Sequence, residues 1–288
     1  MQKFRSAPCS NPGDSTRTKS LCRAARLVLR SGIAVATGIA AFSAVTGLYS
    51  APASAGNPPV TLLISEEVDL QGRPLPTSPA TAQLFRRLSE ATGLQFRIQP
   101  YPWKRALEQA YEGEGLLFGA SPTPERERKL LFSDPVYTER VSIITLCDKT
   151  FPFRQMRDLK GKTLGVVNGT SYGAEFDRLS HSLFRVENDT SRLPGRLMKL
   201  TQGRMDGLVI YTYSQDQQTI AKQINQQFLR AFPAEPAQPP RFCVLPNPVS
   251  SVSIHFAIRY ESDHGLIQNI NQGLKKMQQQ GVLQQIYP

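Results

Sequence analysis

Arg126 stands five residues after Ser121 in the stretch GASPTPERERKLLFSDPVY, residues 119–137. The stretch reads as the end of a strand, a sharp turn and the start of a helix. Thr123 suits a helix cap, and Pro124 suits the first helical position, where a missing N–H costs nothing. Glu125 complements the positive end of the helix dipole, whereas Arg126, a cation in the first turn, opposes it. Two explanations are open: an ion pair with Glu125 or a neighbouring acid, or a role in binding. Arg128 and Lys129 read as solvated, with Glu125 and Lys129 an ordinary i,i+4 pair.

Other reactive patterns are weak. His181, His255 and His264 lack metal-ligand spacing, and no G-x-S-x-G marks a serine nucleophile. Gly161-Lys162-Thr163 looks like the tail of a phosphate loop, but Met156 occupies the position of the earlier glycine. The residues therefore call for no cofactor and no metal, and a protein that is not an enzyme is expected.

The net charge of +11 is uneven. Residues 1–55 hold seven Lys/Arg and one Asp, which is +6, and leave +5 for the rest. Without a basic run in the body, nucleic acid is excluded as a partner. Residues 1–55 read as an export signal. Basic residues run to Arg30, an apolar small-residue stretch covers 32–49, and Ala53-Ser54-Ala55 fits cleavage after Ala55. A periplasmic location is expected; an uncleaved anchor is the competing reading. The remaining chain keeps Cys147 and Cys243, which an oxidising compartment would favour as a disulfide, the alternative being two separate buried thiols.

The elements that must position Arg126 follow from pattern. VTLLIS (60–65) is a buried strand, and Ser78-Pro79 opens a helix stopped by Gly93. LQFRIQPY is a second strand, Trp103 to Tyr111 a helix, and GLLFGAS (115–121) a third strand. This βαβαβ order predicts a parallel sheet with crossover helices. SIITLCD (142–148) and SSVSIHFAIRY (250–260) are strands, and FPAEPAQPPRF (232–242) is a Pro-rich surface loop. Leu266, Ile267, Ile270, Leu274 and Met277 line one face of a closing helix. YEGEGLLFGAS and TQGRMDGLVIYTY echo each other: a helix end, a glycine, an acid, Gly-Leu and a buried strand. The echo suggests two similar α/β lobes. Ligands of open α/β sheets sit at the carboxyl ends of strands, which points to Ser65–Glu66, Gly119–Ser121, Asn168–Tyr172 and Tyr211–Tyr213.

The ordered motifs resemble the bacterial extracellular solute-binding proteins of the amino-acid-binding type, family 3. They are S-P-T-P-E-R…F-S-D-P-V-Y (121–137), D-L-K-G-K-T-L-G-V-V-N-G-T-S-Y-G (158–173), G-R-M-D-G (203–207) and I-x-x-I-N-x-G-L-K-K-M-x-x-x-G-V-L-x-x-I (267–286). The resemblance covers nearly all of 60–288. It implies an α/β fold, the two-lobe periplasmic-binding-protein fold (type II), with two crossover hinge strands near 142–147 and 243–256. The lobes would be 56–143 with a return segment at 251–288, and 144–250. Cys147 and Cys243 would lie side by side on the hinge strands, and a bridge there would contribute about 4–5 kcal/mol in the chain-entropy model.

In relatives the arginine matching Arg126 clamps a ligand carboxylate, helped by the serine matching Ser121 and by backbone N–H groups near Gly119. Guanidinium offers two parallel donors to a carboxylate, and free helix N–H groups favour an anion. The loop Asn168-Gly169-Thr170-Ser171-Tyr172 matches one that contacts the same carboxylate, the alternative being a plain turn. Amino-acid binders carry an aspartate five residues after the G-R-x-D aspartate, where it holds the α-ammonium. Here that position is Tyr211, and Asp206 reads as structural. Glu66 is a candidate to hold a cation instead, or is a surface acid. Trp103, in a loop of the first lobe that lines the cleft in relatives, would stack on a ring or cover a cation, or pack in the core.

The resemblance implies a monomer that closes on a small carboxylate-bearing solute and hands it to membrane transporter subunits. A periplasmic enzyme similar to cyclohexadienyl dehydratases, using Glu66 or Glu175, is an alternative that a cleft carboxylate with a raised pKa would favour. A sensory module that delivers its closed form to a receptor is another.

Overall fold

Leu62, Leu63 and Ile64 are buried in succession, so both faces of β1 (Val60–Ser65) are covered, as an interior parallel strand requires. β1 lies between β2 (Phe96–Tyr101) and β3 (Leu116–Ala120) and is parallel to both. The crossovers are α1 (Pro79–Thr92) and α2 (Trp103–Glu112). Ser78 Oγ caps α1 by accepting from Thr81 N, Pro79 opens it, and Gly93 ends it at a positive φ. The computed structural model describes residues 58–287 except 70, 215 and 234–240, all within a compact unit spanning 54–288. The leader, the cleavage site after Ala55 and most of the Pro-rich loop lie outside the described residues. No helix among the described residues is long and apolar enough to cross a membrane.

The chain continues through α3 (Pro124–Glu127), β4 (Leu130–Phe132) and β5 (Tyr137–Leu146). It then forms β6 (Thr163–Val167), α4 (Ala174–Leu179), β7 (Arg185–Asp189), α5 (Leu193–Thr201) and β8 (Gly207–Thr212). α6 (Gln217–Ala231), β9 (Phe242–Val244), β10 (Ser250–Arg259), α7 (Leu266–Gln279) and α8 (Val282–Ile286) complete it. The strand order is β2-β1-β3-β10-β5-β8-β6-β7, with β4 beside β10 and β9 beside β5. The order is a palindrome of pattern: β2-β1-β3 next to β10 is matched by β7-β6-β8 next to β5. The two echoed sequences are β3 and β8, the innermost strand of each half.

The echoed glycines have a steric cause. A Cβ at Gly115 would lie 2.7 Å from the Thr61 carbonyl oxygen, and one at Gly207 would lie 2.7 Å from Ile143 Cγ2. α1 and α7 pack together, with Leu84, Phe85, Leu88, Ile270 and Leu274 in one core against β1, β3 and β10. α2 covers the opposite face through Trp103, Ala106, Leu107 and Ala110. α5 and α6 cover the second half through Leu197, Leu200, Ile220, Ile224 and Phe228.

Two expectations need adjustment. The crossing lies earlier on one strand than 142–147, because β5 begins at Tyr137 and pairs with β10 as Tyr137–Val141 against Ser250–Ile254. Cys243 sits on β9, a separate short strand on the edge of β5, rather than on β10. Cys147, in the turn that follows β5, is bonded to it with Cα atoms 5.0 Å apart at a sequence separation of 96.

Candidate functional site

β3 delivers the chain to Ser121, and a single helical turn, α3, follows. Thr123 caps it as expected: its Oγ1 accepts from Arg126 N at 3.2 Å. The helix ends at Glu127, so there is little dipole for Arg126 to oppose. Arg126 is instead buried, 5% exposed. Its Nη1 donates to Ser121 O at 2.7 Å, and its Nη2 donates to Gly169 O at 3.0 Å. The guanidinium lies 5.8 Å from the centroid of the Trp103 ring, whose Nε1 also donates to Gly169 O, at 3.0 Å. Among the described residues no carboxylate pairs with Arg126 within 4.0 Å, so the pairing with Glu125 is not what holds it. Gly169 is at φ +76°, a conformation that turns its carbonyl to these donors and that other residues rarely adopt.

Ser121, Gly119, Trp103, Arg126, Glu66, Thr170, Ser171, Tyr172 and Tyr211 all line one cavity of about 400 Å³. Arg126 also borders a second, more open depression, beside Tyr111, Asp177 and His255. Asn168 is exposed and lines neither, so it stands apart from the expected cluster. Trp103 opens α2 rather than lying in a loop, because Pro102 precedes it as the cap. Glu175 is exposed on α4 and absent from both cavities, which removes it as a cleft acid. Glu66 is half-buried at the end of β1, and its carbonyl accepts from Ser191 Oγ at 3.0 Å across the cleft. Asp206 accepts from Thr163 N at 2.8 Å and lines neither cavity, as befits a structural residue.

The loop after β6 is pinned by Asp177, a residue the sequence reading did not single out. Its carboxylate accepts from Ser171 Oγ and, at 2.9 Å, from Tyr172 N. Tyr172 OH accepts from Val167 N at 2.8 Å, and Tyr172 stacks on Tyr211 at 5.3 Å. Tyr211 OH donates to Ser171 O. Of the tyrosine pair, Tyr211 faces the cavity and Tyr213 lies beside it against Tyr137, their hydroxyls 3.3 Å apart.

Two buried charged lining residues were also missed. Glu139 on β5 is 7% exposed, and burial pushes its carboxyl up to about 7, against a hydrogen bond from Tyr213 that lowers it. Burial, followed by the Glu139 charge, raises Tyr137 well above its ordinary range and raises Tyr213 too; burial also pushes Tyr287 up to about 12. Arg196 on α5 is buried, donating through Nη2 to Gly165 O at 3.2 Å and Val209 O at 2.9 Å, while its Nε has no hydrogen-bond partner. Both carry a sequence signal. Glu139 shares one strand face with Tyr137, Val141 and Ile143, and Arg196 sits on the face of Leu193, Leu197 and Leu200. Among the described residues no group of three His, Cys, Asp or Glu could hold a metal ion.

The arrangement is a cavity between two half-sheets, its largely apolar walls set with a few charged and hydroxyl side chains, suited to a small solute with an anionic group. Residues 77–288 match the model of the bacterial extracellular solute-binding proteins, family 3. The arginine-binding extracellular protein ArtP of Bacillus subtilis is 23% identical over 206 residues, 71% of this chain and 74% of that one. Among solved structures, an amino acid ABC transporter substrate-binding protein, AbpA from Streptococcus pneumoniae, bound to L-arginine, superposes with a TM-score of 0.61. It is 15% identical and covers 79% of this chain and 92% of its own. A mutant ArgBP from T. maritima gives 0.59 at 20% identity, with 79% and 92% covered. The fold is thus the two-lobe periplasmic-binding-protein fold of type II.

Proposed function

We propose that this chain, which belongs to the bacterial extracellular solute-binding proteins, family 3, captures an amino acid or related small carboxylate for an ABC-type transporter. The observation that carries the reading is Arg126. A buried guanidinium with no carboxylate partner among the described residues is costly unless an anion meets it, and a charge-assisted bidentate bond to a carboxylate supplies that anion. Ser121 and the backbone about Gly119 add donors from the end of β3, Thr170 adds one from the loop after β6, and Trp103 lines the same cavity. Relatives described as arginine-binding, and as parts of amino acid ABC transporters, support both the ligand class and the hand-off. In this reading the protein is a monomer, exported by removal of residues 1–55, with lobes at 56–143 plus 251–288 and at 144–250.

The test is a melting series on purified protein, first unfolded and refolded with its disulfide intact to strip bound solute. The probes are L-arginine, L-glutamine, L-phenylalanine, succinate and 2-oxoglutarate. A ligand at about 100 times its Kd adds roughly 2.7 kcal/mol of stability. At least one carboxylate raises Tm; if none does, carboxylate capture is refuted.

Glu139 favours a second reading. A cavity carboxylate held near 7 by burial is poised for proton transfer, so catalysis on the same scaffold competes with capture. Incubating each stabilising probe with protein in deuterated water and following it by NMR separates the two. Capture leaves the probe unchanged, and turnover abolished in Glu139→Gln establishes the enzyme.

A further inference from the structure

We infer that Glu139 is the subsite for a cationic group of the ligand, an ammonium or a guanidinium, and so takes the part of the acid missing at Tyr211. The inference rests on carboxylate capture at Arg126 and adds the second pole of the ligand. β5 and β8 pair with Val141 opposite Tyr211. Residues two apart share a face of a strand, so Glu139 stands on the same face as Tyr211, one pair further along and beside Tyr213. That face looks into the cavity that Arg126 also lines. The Tyr211 phenol feels the charges of both Glu139 and Arg126, so both lie within electrostatic reach of one lining residue.

Glu139 is the only buried acid among the described residues, and none of their Lys or Arg side chains forms an ion pair with it. Neither cation of the cavity pairs with Glu139: Arg126 donates to the carbonyls of Ser121 and Gly169, and Arg196 to those of Gly165 and Val209. The groups that face Glu139 are Tyr137 on its own strand, Tyr211 and Tyr213 on β8 and Tyr287 after α8, while β10 presents Val252 and Ile254. These phenols are raised by burial and stay neutral through pH 8, so Glu139 alone titrates near neutrality on this wall. Tyr137 and Tyr211, which line the cavity with Glu139, give its carboxylate aromatic neighbours, the chemistry that suits an organic cation. Glu66, the acid suggested by the sequence, is only half-buried, so water screens it more than Glu139.

Cation binding needs the ionised form. The carboxyl titrates at about 7 in the free protein, so it is mostly protonated at pH 6 and mostly ionised at pH 8. Affinity for a cationic carboxylate therefore rises about tenfold between those pH values, in proportion to the competent fraction.

Calorimetric titration of refolded protein at pH 6 and pH 8 tests this. L-arginine, L-lysine, L-glutamine and L-phenylalanine carry a carboxylate and a cation; succinate, 2-oxoglutarate and 3-phenylpropionate carry carboxylate only. The tightest probe is expected in the first group, with affinity about tenfold higher at pH 8 than at pH 6. Glu139→Gln weakens it at least about tenfold at pH 8 and flattens the pH dependence, while Glu66→Gln changes it less than about threefold. For L-arginine, agmatine and 5-guanidinopentanoate as further probes tell which cation is held, since only the second lacks the α-ammonium and only the first lacks the carboxylate. Cation-free acids binding as tightly, or an unchanged affinity in Glu139→Gln, overturn the Glu139 subsite and leave capture at Arg126 standing. No binding by any carboxylate overturns both.

Discussion

Replacing Glu139 by glutamine is expected to stabilise the ligand-free protein, and only at high pH. The carboxyl is 7% exposed and titrates at about 7, against an ordinary value of 4.5. A folded-state pKa above the unfolded one means that the native state binds the extra proton between these values. Below 4.5 the carboxyl is protonated in both states and costs nothing. As pH rises through 7 the folded protein must carry a buried, ionised carboxylate that no cation among the described residues pairs. A difference of about 2.5 units corresponds to about 3 kcal/mol. Glutamine keeps the shape and the neutral charge, so the variant gains up to about 3 kcal/mol at pH 8 and almost nothing at pH 4. In a chain of this size that is a Tm rise of roughly 6–12 °C. Urea unfolding of both proteins at pH 4, 6 and 8, with the disulfide intact and no solute, reads it directly. A variant less stable than the parent at pH 8, or one whose gain does not grow with pH, refutes the burial argument. The expected gain fits a binding site that trades stability for function.

Further outcomes follow from other contacts. Reduction of the Cys147–Cys243 bridge is expected to lower stability by up to about 4–5 kcal/mol, since the closed loop spans nearly a hundred residues; urea midpoints with and without reductant measure it. Asp177→Asn weakens the anchors of Ser171 Oγ and Tyr172 N, so ligand affinity should fall several-fold through the loop and stability by about 1–3 kcal/mol; titration and unfolding on one sample separate the two. Gly115→Ala drives a Cβ to 2.7 Å from the Thr61 carbonyl and should cost about 1–3 kcal/mol without moving affinity in the refolded fraction.

Much of the fold was legible because its strands and helices announce themselves by period and punctuation. β1, α1, β2, α2, β3 and α7 follow apolar spacing, caps and glycine stops, and the echo between β3 and β8 suggested two similar lobes without giving their strand order. β7 and α6 did not show through. RVEND is a polar edge strand, and QQTIAKQINQQFLRA spreads Ile220, Ile224 and Phe228 thinly among glutamines. Arg126 was legible as an anomaly, although its cause differed: burial between two carbonyls rather than opposition to a helix dipole. Glu139 and Arg196 share faces with apolar residues, yet they were passed over, because Glu139 beside Arg140 and Arg196 near Arg192 read as surface until tertiary packing closes over them.

The most direct measurement is the affinity of Arg126→Ala for whichever carboxylate most raises the Tm of the parent protein, taken by calorimetry beside circular dichroism to verify the fold. Losing a buried, charge-assisted bond to the ligand should cost about 2–3 kcal/mol or more, which is a loss of roughly 30- to 200-fold. Affinity within threefold of the parent, in a folded variant, would contradict carboxylate capture at Arg126.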